Sequence, residues 1–469
     1  MDSGRMSSPL SRFMRMLMLA LVLALAVPRA AAAADDQGPT VLRDTETEQL
    51  FADLARPLIE AANLDDKSVE VVLLNDDEIN AFVAGSQNVY VNSGLIIAAD
   101  NVNEVQAVVA HELGHVAGGH SIRMGEGAKQ ATGIQLATMV LGAIALAAGA
   151  GDAAMGLMMM GQRAALGSFL AFTRAQETSA DLAGASYLSK AGISGKGSLQ
   201  FFKKLQNQEY RLAVYATDSY DRTHPLSGER ISMLENLYKK DPAWDNPTDP
   251  VLEARFQRVK AKLLGFINPK QAIQKYPESD QSVPAHYARA YAYHLGAYPD
   301  KALSETDALL KTDPDDPYFL ELRGQILLEG GKPAEAIAPL REAVKESHDA
   351  PLIASMLGHA LIATEDVKNF GEAKTILKTA VARDNENPFA WYQLGIIYDR
   401  EGDQPRAALA TAERNNLEGN PKLALASAEM AMRGIPAGTP DYLRAQDIAM
   451  VSKAELKNDK KGGRDRYDD

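Results

Sequence analysis

The chain of 469 residues contains no cysteine, so no disulfide supports its fold. That absence removes a clue to compartment without excluding an oxidising one. Positive charge is also in deficit. With 49 Lys and Arg against 62 Asp and Glu, the net charge is −13, which argues against nucleic acid, and against anionic membrane, as the main partner. Long apolar runs are missing too. The N-terminal run Met16 to Val27 is short for a bilayer span, and Met139 to Gly151 is shorter than a span and followed by Asp152. A protein built on several long membrane spans is thereby excluded. What remains is ordinary: 46% apolar and 24% charged residues, in a length that accommodates two or three domains.

The N-terminus points to export. Arg12 and Arg15 precede the apolar run, and Ala30 to Ala34 supply the small residues of a cleavage site. Residues 1–34 are therefore read as a cleaved signal peptide rather than an uncleaved anchor. The mature chain is then expected outside the cytoplasm, and in the periplasm of a Gram-negative cell.

Histidine is scarce, with 8 in the chain, yet two of them stand in His111-Glu112-Leu113-Gly114-His115. On a helix, positions i and i+4 share a face, so both imidazoles can grip one metal ion while Glu112 polarises a metal-bound water. By chance this pattern arises in about one chain per hundred of such composition. A helical context surrounds it. Asn101 fits an N-cap with Glu104 three residues on, Val105, Val108, Val109, Leu113 and Val116 recur at helical spacing, and Gly118-Gly119 end the run. A catalytic zinc needs a third protein ligand and an open position. A second helical stretch, Arg163 to Lys190, offers Glu177 and Asp181, again i and i+4. Glu177 completes a His-His-Glu set for one Zn²⁺ per chain, and Asp181 accepts the free N–H of His111. His120, five residues past His115 and beyond two glycines, falls off the ligand face and reads as structural.

These motifs, together with Asn80 to Ala84 and Asn88-Val89-Tyr90-Val91-Asn92-Ser93-Gly94-Leu95, resemble the CAAX-prenyl-protease-like zinc metallopeptidases, and most closely their periplasmic, TPR-bearing branch. The resemblance runs from about Thr45 to the last helices. It implies an HExxH metallopeptidase in which Asn80, Ala81, Phe82, Val83 and Ala84 form an edge strand above the metal, able to bind an extended substrate through main-chain hydrogen bonds. It places His224 near the metal, as transition-state stabiliser or as a fourth, blocking ligand, and Arg230 close by among the catalytic groups. It further implies unfolded or misassembled outer-membrane proteins as clients, the β-barrel assembly machinery as partner, and a chaperone-like role beside proteolysis. The rival reading is a TPR adaptor or chaperone whose metal site is latent or autoinhibited; an intact Glu112 weighs against an idle site.

Between the two metal helices, Ile134 to Gly161 is rich in Ala, Gly and Met. It reads as a buried helical hairpin, a lid over the cleft, or a patch touching membrane or client chains. Beyond Asp241-Pro242, the prolines 284, 317, 351, 388 and 421 recur at the TPR period, with a three-residue insertion near Val367 to Asn369. Gly324, Gly358 and Gly395 follow their prolines by seven residues, Ala336, Ala373 and Ala407 fall where helices cross, and Trp391 to Tyr398 fits the W-x-x-L-G-x-x-Y pattern. Lys422 to Glu455 should cap the array. The expected architecture is mainly α with a small β-sheet: a zincin-type domain at 35–248, a TPR solenoid at 249–456, and a disordered tail at 457–469.

Overall fold

The structure, a computed structural model, describes residues 40–462 apart from 86, 148–150, 213–223 and 225–227. The sequence expectation for residues 1–34 lies outside them. The first elements are a short strand β1 (Thr40–Val41), helix α1 (Thr45–Ala61), and strands β2 (Val71–Asn75), β3 (Ala81–Ala84) and β4 (Asn88–Asn92). The sheet order is β1-β2-β4-β3, with β2 parallel and β3 antiparallel to β4. β3 therefore lies at an edge. Its register pairs Ala81 with Val91 and Val83 with Val89. Asn80 sits just outside the strand, its carbonyl accepting from the Asn92 N–H at 2.9 Å.

Helix α2 (Ser93–Ala98) leads into α3 (Val102–Gly118), which carries the HELGH motif. The Asn101 side chain caps it by accepting from the Glu104 N–H at 3.0 Å. Glu104 reaches one residue further back than a capping box requires, to the N–H of Asp100. Gly119, in the left-handed region at φ 59°, ends the helix.

Two long helices follow, α4 (His120–Ala147) and α5 (Gly151–Lys190). The expected stretch from Arg163 is thus the second half of a helix that begins at Gly151. α4 and α5 form a hairpin in which glycines of one helix make room for side chains of the other. A Cβ on Gly161 would lie on the Thr138 hydroxyl, and one on Gly127 would strike the Phe172 ring. The described residues of Ile134 to Gly161 belong to this hairpin, and most of them are not buried. Leu136, Val140, Met155 and Met160 are all more than half exposed. Among the described residues no helix is long and apolar enough to cross a membrane.

After α6 (Lys196–Leu212) and α7 (Gly228–Tyr238), helix α8 (Pro250–Ile267) joins the two halves. Phe256, Val259 and Leu263 pack into the core formed by α1, the sheet and α3, whereas Ala261 and Leu264 pack with Ala272, Ala288 and Ala292 of the following helices. The expected boundary at 249 therefore cuts a shared core, because one helix serves both sides. The remaining helices run in pairs to Gly462. Prolines 317, 351, 388 and 421 open helices at their first positions, where a missing N–H costs nothing. Gly324 and Gly358 let the paired helices close: a Cβ would lie 2.4 Å from Leu340 and 2.6 Å from Leu377. Ala336 and Ala373 are fully buried as expected, but Ala407 is only partly so, and Ala410 faces Gly395 in its place. The tail expected from Lys457 starts as helix, since the last helix extends through Gly462.

Candidate metal centre

The site forms where α3 and α5 cross. Glycine makes the crossing close. A Cβ on Gly114, inside the motif, would lie 2.7 Å from the Ala180 carbonyl oxygen, and one on Gly184 would lie 3.0 Å from the backbone of Ala110. The two backbones touch, and the flanking side chains His111, His115 and Glu177 are pressed into one space.

His111 Nε2 lies 3.1 Å from His115 Nε2 and 3.5 Å from Glu177 Oε2, and His115 Nε2 lies 3.4 Å from Glu177 Oε1. His224 completes the group. Its Nδ1 is 3.4 Å from His111 Nε2 and 3.2 Å from each Glu177 oxygen. Ligand atoms from all four residues fall within 4.8 Å of one another. Donors held tetrahedrally about a zinc ion stand roughly 3.3–3.6 Å apart, so the donor set and its spacing fit a small divalent ion.

Glu112 adjoins this cluster. It is fully buried, and neither carboxylate oxygen has a hydrogen-bond partner among the described residues. Its nearest ionic neighbour is His224 Nε2 at 3.5 Å. Burial pushes the Glu112 carboxyl above its usual range. Such an orphaned buried carboxylate calls for a proton or a polar guest.

The outer atoms of the cluster are held in turn. Asp181 lies 3.0 Å from His111 Nδ1 and accepts from Arg230 at 2.7 and 2.9 Å, while Arg230 Nη1 also reaches Glu177 at 3.1 Å. Burial opposes charge on His111, but Asp181 and Glu177 outweigh it and push its pKa up to about 10. Burial and the neighbouring His111 drive His115 the other way, down to about 2. Burial also opposes the Glu177 charge, but hydrogen bonds with His111 and His224 hold its carboxyl well below the usual range.

The structure thus gathers His111, His115, Glu177 and His224, with Glu112, Asp181 and Arg230 against them. Of the expected substrate strand, Ala81 to Ala84 form β3, which packs against α3. The chain neighbours of His224 lie outside the described residues. One participant escaped the sequence reading. His120 is buried, and its Nδ1 lies 3.0 Å from Nδ1 of His115. Counting along one helix puts it off the face, but the helix stops at Gly119, and the left-handed turn there folds His120 back.

Comparison with known proteins agrees with this geometry. Residues 42–238 match the model of peptidase family M48, and residues 271–351 match a tetratricopeptide repeat model. The chain carries an M48 peptidase domain. It is a metalloprotease with TPR repeats behind its catalytic domain. The beta-barrel assembly-enhancing protease of Yersinia pestis is 26% identical over 79% of this chain and 76% of its own length, and that of Escherichia coli K12 is 25% identical over 86% and 82%. A putative beta-barrel assembly-enhancing protease of Vibrio cholerae is 30% identical over 60% of this chain and 58% of the relative. Among solved structures, the TPR protein YrrB, described with an unusual peptide-binding site, aligns at 19% identity over 38% of this chain and 92% of its own, with a TM-score of 0.31.

Proposed function

We propose that the protein is a periplasmic zinc endopeptidase in quality control of outer-membrane protein assembly, its TPR array recruiting unfolded clients and lending a chaperone-like hold. The observation that carries the enzymatic part is the buried convergence of His111, His115 and Glu177 beside the buried carboxylate of Glu112. The client class rests on similarity over most of the chain to proteases named for β-barrel assembly.

His111, His115 and Glu177 would hold the Zn²⁺. When bound, the ion supplies Lewis-acid activation of water and of the scissile carbonyl. Glu112 takes the attacking water's proton and delivers it to the leaving amine; burial, which raises its pKa, favours the protonated form that this transfer creates. Asp181 fixes the His111 tautomer. Arg230, expected among the catalytic groups, acts through Glu177 and Asp181, binding both carboxylates in place. Ala81 to Ala84, with Asn80 just before them, offer the substrate the edge strand of the sheet. The exposed methionines and leucines of the α4–α5 hairpin offer apolar contact to a client or to a membrane surface.

A second reading, autoinhibition, draws on His224. Its Nδ1 lies among the ligand atoms, so it can fill the position that water needs. Client choice is tested by offering the purified protein an unfolded outer-membrane barrel precursor and an unfolded soluble protein of equal length. Faster cleavage of the precursor is expected; equal rates would refute the client assignment.

A further inference from the structure

The two motif histidines differ in what holds their outer nitrogens. Both point Nε2 at the shared centre, 3.1 Å from each other. His111 turns Nδ1 to the Asp181 carboxylate, 3.0 Å away. His115 turns Nδ1 to a second imidazole, with Nδ1 of His120 3.0 Å away. The rings meet edge to face, with centroids 4.9 Å apart.

The chain is shaped for this contact. Gly119 adopts the left-handed conformation at φ 59°, which costs glycine little, and sends the backbone off the α3 axis. Gly118 supplies the space. A Cβ there would lie 2.4 Å from His120 Nε2 and under 3.0 Å from two ring carbons. The imidazole of His120 thus occupies the volume of a missing side chain, and it is 4% exposed. Both glycines of the Gly118-Gly119 pair are needed to lay one histidine on another.

We propose that His120 is a positioning residue for metal binding: its Nδ1 lone pair accepts the Nδ1–H of His115 and so leaves the Nε2 lone pair of His115 free for the ion. This rests on the reading of His115 as a ligand. A nitrogen–nitrogen hydrogen bond needs one donor and one acceptor. Nε2 of His115 must be unprotonated to bind metal, so its proton sits on Nδ1 and His120 must accept, as the Nε2–H tautomer. The two ligands are then unequal. His111 is braced by an anion and His115 by a neutral acceptor, so the second brace works through ring orientation and tautomer, with little added basicity.

The test measures zinc affinity by competition with a chromophoric chelator, and the visible spectrum of the Co²⁺-substituted protein, on the full chain. His120→Ala is expected to weaken zinc by about 10–100-fold and to change the Co²⁺ bands. His120→Asn, whose Oδ1 is as many bonds from the backbone as Nδ1 of His, is expected to restore most of the affinity. His120→Gln, with its carbonyl one bond further out, is expected not to. This Asn–Gln contrast keeps the test open even where the alanine variant fails to fold. Asp181→Ala is the matched control for His111. Wild-type affinity in folded His120→Ala, or equal losses in the Asn and Gln variants, would overturn the positioning role. Zinc retained by His115→Ala would instead overturn the ligand assignment on which the role rests.

Discussion

Glu46 ties the peptidase to its repeats. It sits in the first turn of α1, is 2% exposed, and accepts from Arg258 and from Lys262 of α8 (2.9 Å) and from the hydroxyl of Tyr287 in the first repeat helices (2.7 Å). Glu46→Gln keeps the shape and removes the charge, so it creates no cavity. It turns an amide toward two cations and a hydroxyl, at least one of which then loses its acceptor. Breaking a buried ion pair by removing one partner costs about 3–5 kcal/mol. The low end applies here, because Arg258 keeps Asp316 at 2.7 Å and Lys262 keeps Asp44 at 2.7 Å. A loss of ~3 kcal/mol in a unit of roughly 420 residues lowers the melting midpoint by about 3 °C if the halves unfold together. Since the contact joins the halves, the transition should also split, with the repeats melting apart from the peptidase core. Calorimetry and urea unfolding followed by two probes, one in each half, would show both effects. A Glu46→Gln variant within about 0.5 kcal/mol of wild type, melting in one transition, would refute the reasoning.

Two further outcomes are expected. His224→Ala should raise basal cleavage of an unfolded casein-like substrate if His224 blocks the site, and lower it if His224 stabilises the transition state; a fall with zinc content intact rejects autoinhibition. Glu321 is pushed up to about 8 from its usual 4.5, by burial and then by the charge of Asp44. The folded state thus favours its protonated form, so this residue costs nothing near pH 4 and destabilises increasingly as pH rises toward 8. Glu321→Gln should therefore be neutral at pH 4 and stabilising by ~1–3 kcal/mol at pH 8, a discounted figure for a partly buried group. Chemical denaturation at both values checks it, and a gain that does not depend on pH would contradict the sign.

The parts of this protein that were legible in its sequence are those fixed by short spacings. HELGH and Glu177-x-x-x-Asp181 each declare a helix face, Asn101 and Gly119 declare the ends of α3, and the proline period declares the repeats. What escaped depends on contacts between elements. Helical counting excluded His120, yet that rule lapses once Gly119 turns the chain. The approach of α3 to α5 was written in Gly114 and Gly184, but a glycine states only that room is needed, not for whom. The α4–α5 segment is apolar whether it is buried or exposed, and composition alone does not separate the two. Helix α8 carries apolar residues on two faces, Phe256 and Val259 on one and Ala261 and Leu264 on the other. That pattern marks a helix shared between two cores.

In the proposed reaction, a metal held by His111, His115 and Glu177 works with Glu112 to cut peptide bonds. Its most direct test is cleavage of an unfolded outer-membrane barrel precursor by the wild-type protein and by Glu112→Gln, each before and after chelation and with bound metal quantified. Glu112→Gln should retain one zinc per chain and lose at least ~100-fold in rate, the scale of a lost general acid–base group. Chelation should abolish wild-type cleavage, and added zinc should restore it. Cleavage that persists in Glu112→Gln, or in chelated protein shown to be metal-free, would contradict the account.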